Sequence, residues 1–187
     1  KRILLYHGLP TPEFQVFERA DEPLDADLLD GSGELRFPMF VKPSREGTSM
    51  GVSAESIVST VKQLREQVAR HLQLYNQPIL CEHYIQGREV MVGMVGNLHP
   101  ISARHVREGA AARVLPEGLT FLPLLEVDLE AYDKSEAGLY TNRMKTEWAD
   151  NFRFICPAPL DDEIVQELCL LASNVFRVTD CKDVARV

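Results

Sequence analysis

The segment Phe40–Val52, with the sequence FVKPSREGTSMGV, constrains the fold of this chain more than any other. Its apolar start predicts a β-strand that ends at Lys42, and Pro43 stops the strand because proline has no N–H group for the ladder. The following loop combines two glycines, which let backbone N–H groups turn toward an anion, with the hydroxyl groups of Thr48 and Ser49. This combination predicts a phosphate-binding loop. An ordinary surface loop is the alternative, and the Walker A pattern is absent.

The composition excludes several classes of protein. The chain has 187 residues, of which 45% are hydrophobic, enough to bury one core or two small ones. No apolar run reaches the roughly 18 residues needed to span a bilayer, so no membrane partner is expected. The net charge of -8 argues against nucleic acid as a partner, since nucleic-acid binding requires clustered Lys and Arg.

The four cysteines lie in apolar segments without a C-x-x-C pair. They are predicted to be buried free thiols in a reducing compartment, which places the protein in the cytoplasm. Neither the cysteines nor the histidines show metal-ligand spacing, so no metal site is predicted within the chain. The cysteines are Cys81, Cys156, Cys169 and Cys181.

Hydrophobic periodicity predicts a mixture of helices and strands. The clearest helix is Ile57–Leu72, whose apolar residues recur at steps of three and four, and a second helix covers Asp161–Arg177. Lys1–Gly8 is expected to be the end of a helix, and Asp21–Gly33 a weak helix and a turn. Strands are predicted at Glu13–Glu18, Pro38–Lys42, Pro78–Tyr84, Glu89–Val95, Leu98–Val106, Leu122–Leu129 and Asp183–Val187.

A second charged cluster lies in Ile79–Val90, with the sequence ILCEHYIQGREV. A strand carries Glu82 to its end, a connector follows, and Gly87 precedes a new strand that starts with Glu89. Such a connector can offer free backbone N–H and C=O groups to the edge of an adenine ring, and a carboxylate can hold an amino group or ribose hydroxyls. Two solvated glutamates beside a hairpin turn are the alternative.

The order of these segments resembles the ATP-grasp superfamily, and within it the D-alanine–D-alanine ligase type. VKPSREG followed downstream by an E-x-x-x-x-G-x-E run is a specific part of that resemblance. The matches stay in register across essentially the whole chain. The matching pieces are Lys1 with the following Leu4-Leu5 and GLPTP, then FVKPSREGTSMGV, CEHYIQGREV, FICPAPL and DVARV.

The resemblance implies roles in nucleotide binding for eight residues. Four of them are similar to phosphate-binding residues of the family: the lysines Lys1 and Lys42, and Thr48 with Ser49 in the covering loop. The other four are similar to residues around the nucleoside. Glu82 resembles the carboxylate that faces the adenine amino group, Tyr84 and Ile85 the connector that reads the ring, and Glu89 the ribose-binding glutamate.

Two further residues resemble catalytic residues of the family. Arg186 is similar to the arginine that stabilises the oxyanion and the acyl phosphate, and a surface ion pair is the alternative for it. Lys145 lies in the long polar stretch 130–153, where the family has another phosphate-contacting lysine. Its charged neighbours Lys134, Arg143 and Arg153 compete for that role.

The activity that the resemblance implies is that of an ATP-dependent carboxylate–amine ligase, a carbon–nitrogen ligase that forms an amide through an acyl phosphate. ATP and Mg²⁺ are the implied cofactors. A small carboxylic acid and an amine, of amino-acid or peptide-like kind, are the implied substrates, and a homodimer is left open. The alternatives are a degenerate nucleotide-binding ATP-grasp module without turnover and a ligase of the superfamily that acts on another metabolite.

The implied fold class is α+β, an ATP-grasp fold of two α+β lobes with antiparallel sheets and the nucleotide cleft between them. Residues 1–77 are expected to form the small lobe with the phosphate loop, and residues 78–187 the start of the large lobe.

The chain departs from the family pattern at several points. The magnesium ligands of the family would lie beyond Val187 and its N-terminal domain is missing, so we expect a fragment that binds nucleotide weakly and is inactive as given. Thr146 follows Lys145 where a tyrosine is usual, and Thr48 stands where a serine is usual. Both departures argue against D-alanine itself as the substrate.

Overall fold

The computed structural model of the chain describes residues 1–26, 28, 33, 35–46, 49–98, 116–129, 139 and 154–187. Within these residues the helices are α1 (Arg2–Tyr6), α2 (Val61–Tyr75) and α3 (Asp162–Val178), and a 3-10 turn covers Ala54–Ser56. The strands are β1 (Phe14–Phe17), β2 (Met39–Pro43), β3 (Ile57–Val58), β4 (Ile79–His83), β5 (Glu89–Met91), β6 (Gly93–Gly96), β7 (Leu119–Phe121), β8 (Leu125–Val127), β9 (Phe154–Ile155) and β10 (Val184–Arg186).

These elements form two compact units, each of which is described by itself. The four-stranded unit contains Pro12–Gly87. The paired-sheet unit contains Lys1–Thr11, Arg88–Asp128 and Phe154–Val187.

The four-stranded unit is built on one antiparallel sheet with the strand order β1-β4-β2-β3. One face of the sheet packs against α2 and forms a core that excludes water. Strand β4 is part of this sheet because it pairs with both β1 and β2, whereas the sequence analysis put the lobe boundary before it, at residue 77. The largest fully buried side chains of this core are Phe17, Met39, Leu64, Ile79, Val41, Val58 and Val68.

Helix α2 begins at Val61, and the prediction that it begins at Ile57 is wrong. Ile57 and Val58 form β3, which pairs with Met39 and Phe40 of β2. Thr60 sets the helix start because its hydroxyl oxygen accepts a hydrogen bond of 3.2 Å from the backbone N–H of Gln63. The apolar stripe of the helix therefore begins one turn later than the periodicity indicated.

The paired-sheet unit has two antiparallel sheets of three strands, ordered β10-β6-β7 and β5-β8-β9. Its core consists of apolar side chains from α3, from the strands and from the segments beside them. The predicted single strand Glu89–Val95 is divided at Val92, which exchanges two backbone hydrogen bonds with Val187. The buried residues of this core are Val92, Met94, Leu124, Ala158, Cys169, Ala172 and Phe176.

Most of the remaining predicted elements have counterparts. Helix α3 and strand β10 lie where the sequence predicted them. The predicted strand Leu122–Leu129 contains β8 alone, and β7 lies before it, in a segment for which no strand was predicted. The predicted strand Leu98–Val106 lies outside the described residues except for Leu98, which is not in a strand. No helix in the described part of the chain is both long and apolar enough to cross a bilayer.

Two of the four cysteines are buried as predicted, and one is not. Cys81 and Cys169 are buried, Cys181 is half-buried and Cys156 is exposed, so the prediction of burial is wrong for Cys156. All four are free thiols. Burial raises the pKa of Cys81 far above the ordinary value of a thiol and raises the pKa of Cys169 as well, which keeps both protonated and unreactive.

Candidate functional site

The side chains that alternate along β2 separate the two faces of the four-stranded sheet. Met39, Val41 and Pro43 are buried on the face that packs against α2, while Phe40 and Lys42 point to the opposite face and are half-buried. We call this opposite face the open face. It also carries Phe14 and Val16 of β1, Leu80 and Glu82 of β4, and Ile57 of β3, because these residues are the register partners of Phe40, Lys42 or their neighbours.

An ion pair between Lys42 and Glu82 lies on the open face. The Lys42 Nζ atom donates a hydrogen bond of 2.6 Å to Oε1 of Glu82. The contact follows from the register, because Phe40 is opposite Glu82 and Lys42 is therefore its diagonal neighbour on the same face. Glu82 is 8% exposed, whereas about a third of the Lys42 side chain reaches solvent. A cation that is accessible to a ligand is thus held next to a carboxylate.

An aromatic surface adjoins the ion pair. The rings of Phe40 and Tyr84 are stacked with their centroids 6.2 Å apart, and the Lys42 ammonium lies 5.4 Å from the centroid of Phe40. Tyr84 follows β4 directly, and its backbone N–H donates to the carbonyl oxygen of Pro38. Ile85, the next residue, is 64% exposed. A flat, partly apolar ligand could therefore contact these two rings and the connector after β4, while its polar groups form hydrogen bonds with Lys42 and Glu82.

The described part of the predicted phosphate loop is a tight turn. The carbonyl oxygen of Ser49 accepts a hydrogen bond of 3.1 Å from the N–H group of Val52. Ser49 and Gly51 both have left-handed backbone conformations, with φ of 59° and 77°. Glycine adopts that conformation at little cost, which explains its use at position 51. Ser49 is half-buried.

Three of the predicted site residues lie in the paired-sheet unit. Lys1 precedes α1, and its Nζ atom donates a hydrogen bond of 2.6 Å to the hydroxyl group of Thr11. Glu89 starts β5 opposite Val127, and Arg186 ends β10 opposite Gly93. Both charged residues are exposed.

The structure therefore brings together Lys42, Glu82, Tyr84 and Ile85, and it places Ser49 in the same unit. Thr48 and Lys145 lie outside the described residues, so their roles stay predictions.

A second ion pair lies in the paired-sheet unit. The sequence analysis did not identify it. Arg88 binds both carboxylate oxygens of Glu126, with distances of 2.5 and 2.6 Å, and also donates to the carbonyl oxygen of Pro159. Glu126 is 7% exposed. The hydrogen bonds from Arg88 hold the pKa of this carboxyl below its usual value, because they stabilise the ionised form. The only signal in the sequence was the arginine between Gly87 and Glu89.

Within the described residues, no group of three or more His, Cys, Asp or Glu side chains is arranged to hold a metal ion. The side chains of the open face supply one carboxylate and one ammonium group, which do not fit the all-oxygen octahedral coordination that Mg²⁺ prefers.

The comparisons with known proteins agree with the arrangement of strands and helices. The structure resembles D-alanine–D-alanine ligase from Bacillus anthracis in complex with ATP, with a TM-score of 0.61 and 19% identity over the whole of this chain and 46% of that one. A second structure of the Bacillus anthracis enzyme gives a TM-score of 0.63 with 21% identity and covers 49% of that chain. The fold is therefore the ATP-grasp fold, as predicted.

The sequence comparison defines the family. The sequence model of the family described as D-ala D-ala ligase C-terminus matches residues 3–115, and the chain belongs to that family. Its relatives include D-alanine–D-alanine ligases from Cupriavidus pinatubonensis, 32% identical over 186 residues, and from Bordetella petrii, 28% identical over 187 residues. An uncharacterised protein of Sinorhizobium fredii is 30% identical over 187 residues. The chain is covered completely in each case and spans about half the length of these relatives.

Proposed function

We propose that this chain supplies the ATP-binding part of a carboxylate–amine ligase that forms an amide through an acyl phosphate. The observation that carries the proposal is the Lys42–Glu82 pair on the open face, beside the stacked rings of Phe40 and Tyr84. Membership of the D-ala D-ala ligase family and the likeness to a ligase solved with ATP support the same function.

The chemistry of the open face suits adenine. Phe40 and Tyr84 offer partly exposed rings against which a flat heterocycle can pack. The Glu82 carboxylate can accept a hydrogen bond from the adenine amino group, and backbone groups near Ile85 can pair with the ring edge. This arrangement favours adenine over guanine, because guanine presents a carbonyl oxygen where adenine presents the amino group.

The phosphates would lie toward Lys42 and the Ser49 turn. The ammonium group supplies the positive charge, and charge-assisted hydrogen bonds to phosphate are about twice as strong as neutral ones. The roles of Lys1, Glu89, Arg186, Lys145 and Thr48 rest on the family resemblance alone, and they are part of the proposal on that basis.

In the proposed reaction a carboxylate oxygen attacks the γ-phosphorus of ATP, the bond from that phosphorus to the β-phosphate oxygen breaks, and ADP leaves. The amine nitrogen of the second substrate then attacks the acyl carbon. The carbon–nitrogen bond forms, the bond from carbon to the phosphate oxygen breaks, and the nitrogen loses a proton. Positioning and charge neutralisation dominate the catalysis of phosphoryl transfer, and fixed cationic side chains provide both. The described residues do not supply the ligands of a magnesium ion, so no step of this reaction is assigned to one.

Calorimetric titration of the chain with ATP tests the binding step. Lys42→Met should weaken ATP binding by about tenfold or more, since a hydrogen bond to a charged group contributes about 1.5–3 kcal/mol. Lys62→Met is the matched control, because Lys62 is an exposed lysine on α2. Equal affinities of the two variants would contradict the proposal.

Turnover distinguishes the ligase from a degenerate module. The product of the complete reading frame should release ADP and phosphate only when a suitable carboxylic acid and amine are both present. ATP binding without ADP release across a broad panel of acid and amine pairs would favour the non-catalytic alternative. The panel should extend beyond D-alanine, because the threonines at positions 48 and 146 argue for another substrate pair. The proposal includes a cytoplasmic location, which the four free thiols support.

A further inference from the structure

His71 of α2 is a buried histidine whose two ring nitrogens both face carbonyl oxygens. Its Nδ1 atom lies 2.8 Å from the carbonyl oxygen of Gln67, and its Nε2 atom lies 3.0 Å from the carbonyl oxygen of Gly51. The residue is 6% exposed, and its ring stacks on Tyr75 with 5.7 Å between the centroids. His71 thus links the helix to the loop that contains Ser49.

Only the protonated ring satisfies this geometry. A carbonyl oxygen can accept a hydrogen bond but cannot donate one, so each ring nitrogen must carry a proton to bond its partner. The imidazolium ion has a proton on both nitrogens. A neutral ring has one proton and would place a lone pair against the other carbonyl oxygen, at a buried position where water does not compensate.

Gly51 is held closely from several sides. Its carbonyl oxygen also accepts a hydrogen bond of 3.4 Å from the Ser56 hydroxyl group. Its Cα packs so tightly on Tyr75 and Pro43 that a Cβ atom would lie 2.9 Å from the Tyr75 ring and 3.0 Å from Pro43. Gly51 is two residues from Ser49 within one hydrogen-bonded turn, so whatever fixes Gly51 also fixes the backbone at Ser49.

The charges around the ring are compatible with a cation. Glu55, on the 3-10 turn, is ion-paired with Arg70 of α2, and the positive charges of Arg70 and His71 both lower the pKa of Glu55. On its own helix the ring also meets the phenol of Tyr75. The loop residues 49–53 carry no ionisable side chain, and the end of β2 contributes Pro43.

We propose that His71 is a positioning residue that, as an imidazolium ion, holds the Gly51 carbonyl group and so orders the turn that presents Ser49 to phosphate. This inference rests on the proposed function for the identity of the ligand, although the hold on the loop itself does not depend on it. Deprotonation of His71 removes one of the two hydrogen bonds.

Two variants separate the hydrogen bond from the shape of the side chain. His71→Phe keeps a ring on Tyr75 but has no donor, whereas the amide of His71→Gln can donate to Gly51 at any pH. Hydrogen exchange of the amides of residues 50–53 should show protection in the original chain. His71→Phe should lose about tenfold in protection, and His71→Gln should retain the protection. Long-range nitrogen-15 spectra of His71 should show a proton on each ring nitrogen.

ATP titration of the same variants provides the functional test. His71→Phe should weaken ATP binding by about tenfold at pH 6, an effect of one charge-assisted hydrogen bond. Val68→Ala is the control, because Val68 is buried one turn earlier on α2 and lies in the core rather than on the loop. It should lower thermal stability without changing ATP affinity or the protection of residues 50–53.

Some outcomes would overturn the assignment. Protection of residues 50–53 that is the same in His71→Phe as in the original chain, or a His71 ring with a proton on only one nitrogen, would each refute it. If the original chain does not bind ATP, the proposed function fails, while the exchange and nitrogen-15 measurements still decide the role of His71.

Discussion

Among the described residues, each of the two units contains one nearly buried carboxylate, and the two carboxylates are held in different ways. Glu82, 8% exposed in the four-stranded unit, accepts a hydrogen bond from Lys42 at Oε1, and the Lys42 side chain is partly exposed. Glu126, 7% exposed in the paired-sheet unit, is bound through both oxygens by Arg88. Similar burial therefore accompanies two different kinds of contact.

We infer that the difference distinguishes a pair suited to binding a ligand from a structural one. A lysine ammonium is a compact charge on a flexible stem, so it can turn from a carboxylate to a phosphate without breaking a rigid geometry. A planar guanidinium that binds two oxygens is fixed in place, and Arg88 also binds the Pro159 carbonyl group. We infer that the first pair can exchange partners with a ligand, while the second holds β5 against β8 and the segment before α3.

The largest expected effects concern the two cores. Phe17 is fully buried in the four-stranded unit and Phe176 is 2% exposed in the paired-sheet unit. Phe17→Ala and Phe176→Ala should each lower the free energy of unfolding by about 3–5 kcal/mol, because each leaves a cavity. Denaturant titration measures the loss, and hydrogen exchange should locate it in the unit that carries the substitution. Equal loss of protection in both units would show instead that the two cores unfold together.

Alanine substitutions at two glycines should lower the stability by intermediate amounts that differ from each other. A Cβ atom at Gly96 would lie 2.2 Å from the backbone oxygen of Gly118, which cannot move easily, whereas at Gly51 it would meet the side chain of Tyr75 at 2.9 Å. Overpacking costs about 1–3 kcal/mol, and we expect Gly96→Ala at or above the upper end of that range and Gly51→Ala lower. Thermal unfolding measures both. Gly87→Ala, with nothing within 4 Å, is the control and should change stability by no more than about 0.5 kcal/mol.

Matched substitutions of the two carboxylates test the comparison itself. Glu82→Gln should weaken ATP binding by about tenfold and reduce the preference for ATP over GTP, because the amide can present its NH₂ group to a guanine carbonyl. Glu126→Gln should lower stability and leave both affinities unchanged. Calorimetry measures the affinity of each variant for ATP and for GTP, and thermal unfolding measures its stability. If Glu126→Gln altered nucleotide selectivity as much as Glu82→Gln, the division into two kinds of pair would be wrong.

The smallest effect is a pH dependence of the paired-sheet unit. The folded-state pKa of Glu126 is lowered by its hydrogen bonds with Arg88, so this pair contributes stability at neutral pH. That contribution is present above the ordinary pKa of glutamate, near 4.3, and is lost as the pH falls toward the lower folded-state value. Arg88→Met should therefore lower stability at pH 7 and flatten its decline in acid. Unfolding curves between pH 2 and pH 7 measure the stability of both chains. An unchanged decline in acid would show that the Arg88–Glu126 pair does not cause it.

The sequence was a good guide where local chemistry decides the structure. Pro43 ends its strand and alternating residues around Lys42 define the two faces of β2, so this strand was predicted to within a residue at each end. The apolar stripe of α3 was equally clear. At Ile57 the periodicity was misleading, because the apolar residue fits both the helical spacing and β3. The threonine at position 60 was the local signal of the true helix start.

Other features depend on contacts between residues far apart in sequence. The predicted strand Glu89–Val95 is divided because β5 pairs with β8 while β6 pairs with β10 and β7, and no pattern around Val92 indicates this change of partner strands. Lys42 and Glu82 were both predicted as ligand-binding residues, but their contact is set by the register of β2 on β4. The link between His71 and Gly51 depends in the same way on how α2 packs on the loop.

The most direct test of the account is an amide NMR titration of the chain with ATP, in which resonances are followed residue by residue. We expect the largest shifts in the four-stranded unit at residues 40–42, 49–52 and 82–85, on the open face and its adjoining turns, and we expect Glu82→Gln to reduce them. Shifts confined to the helix face of the sheet, or an absence of shifts at saturating ATP, would contradict it.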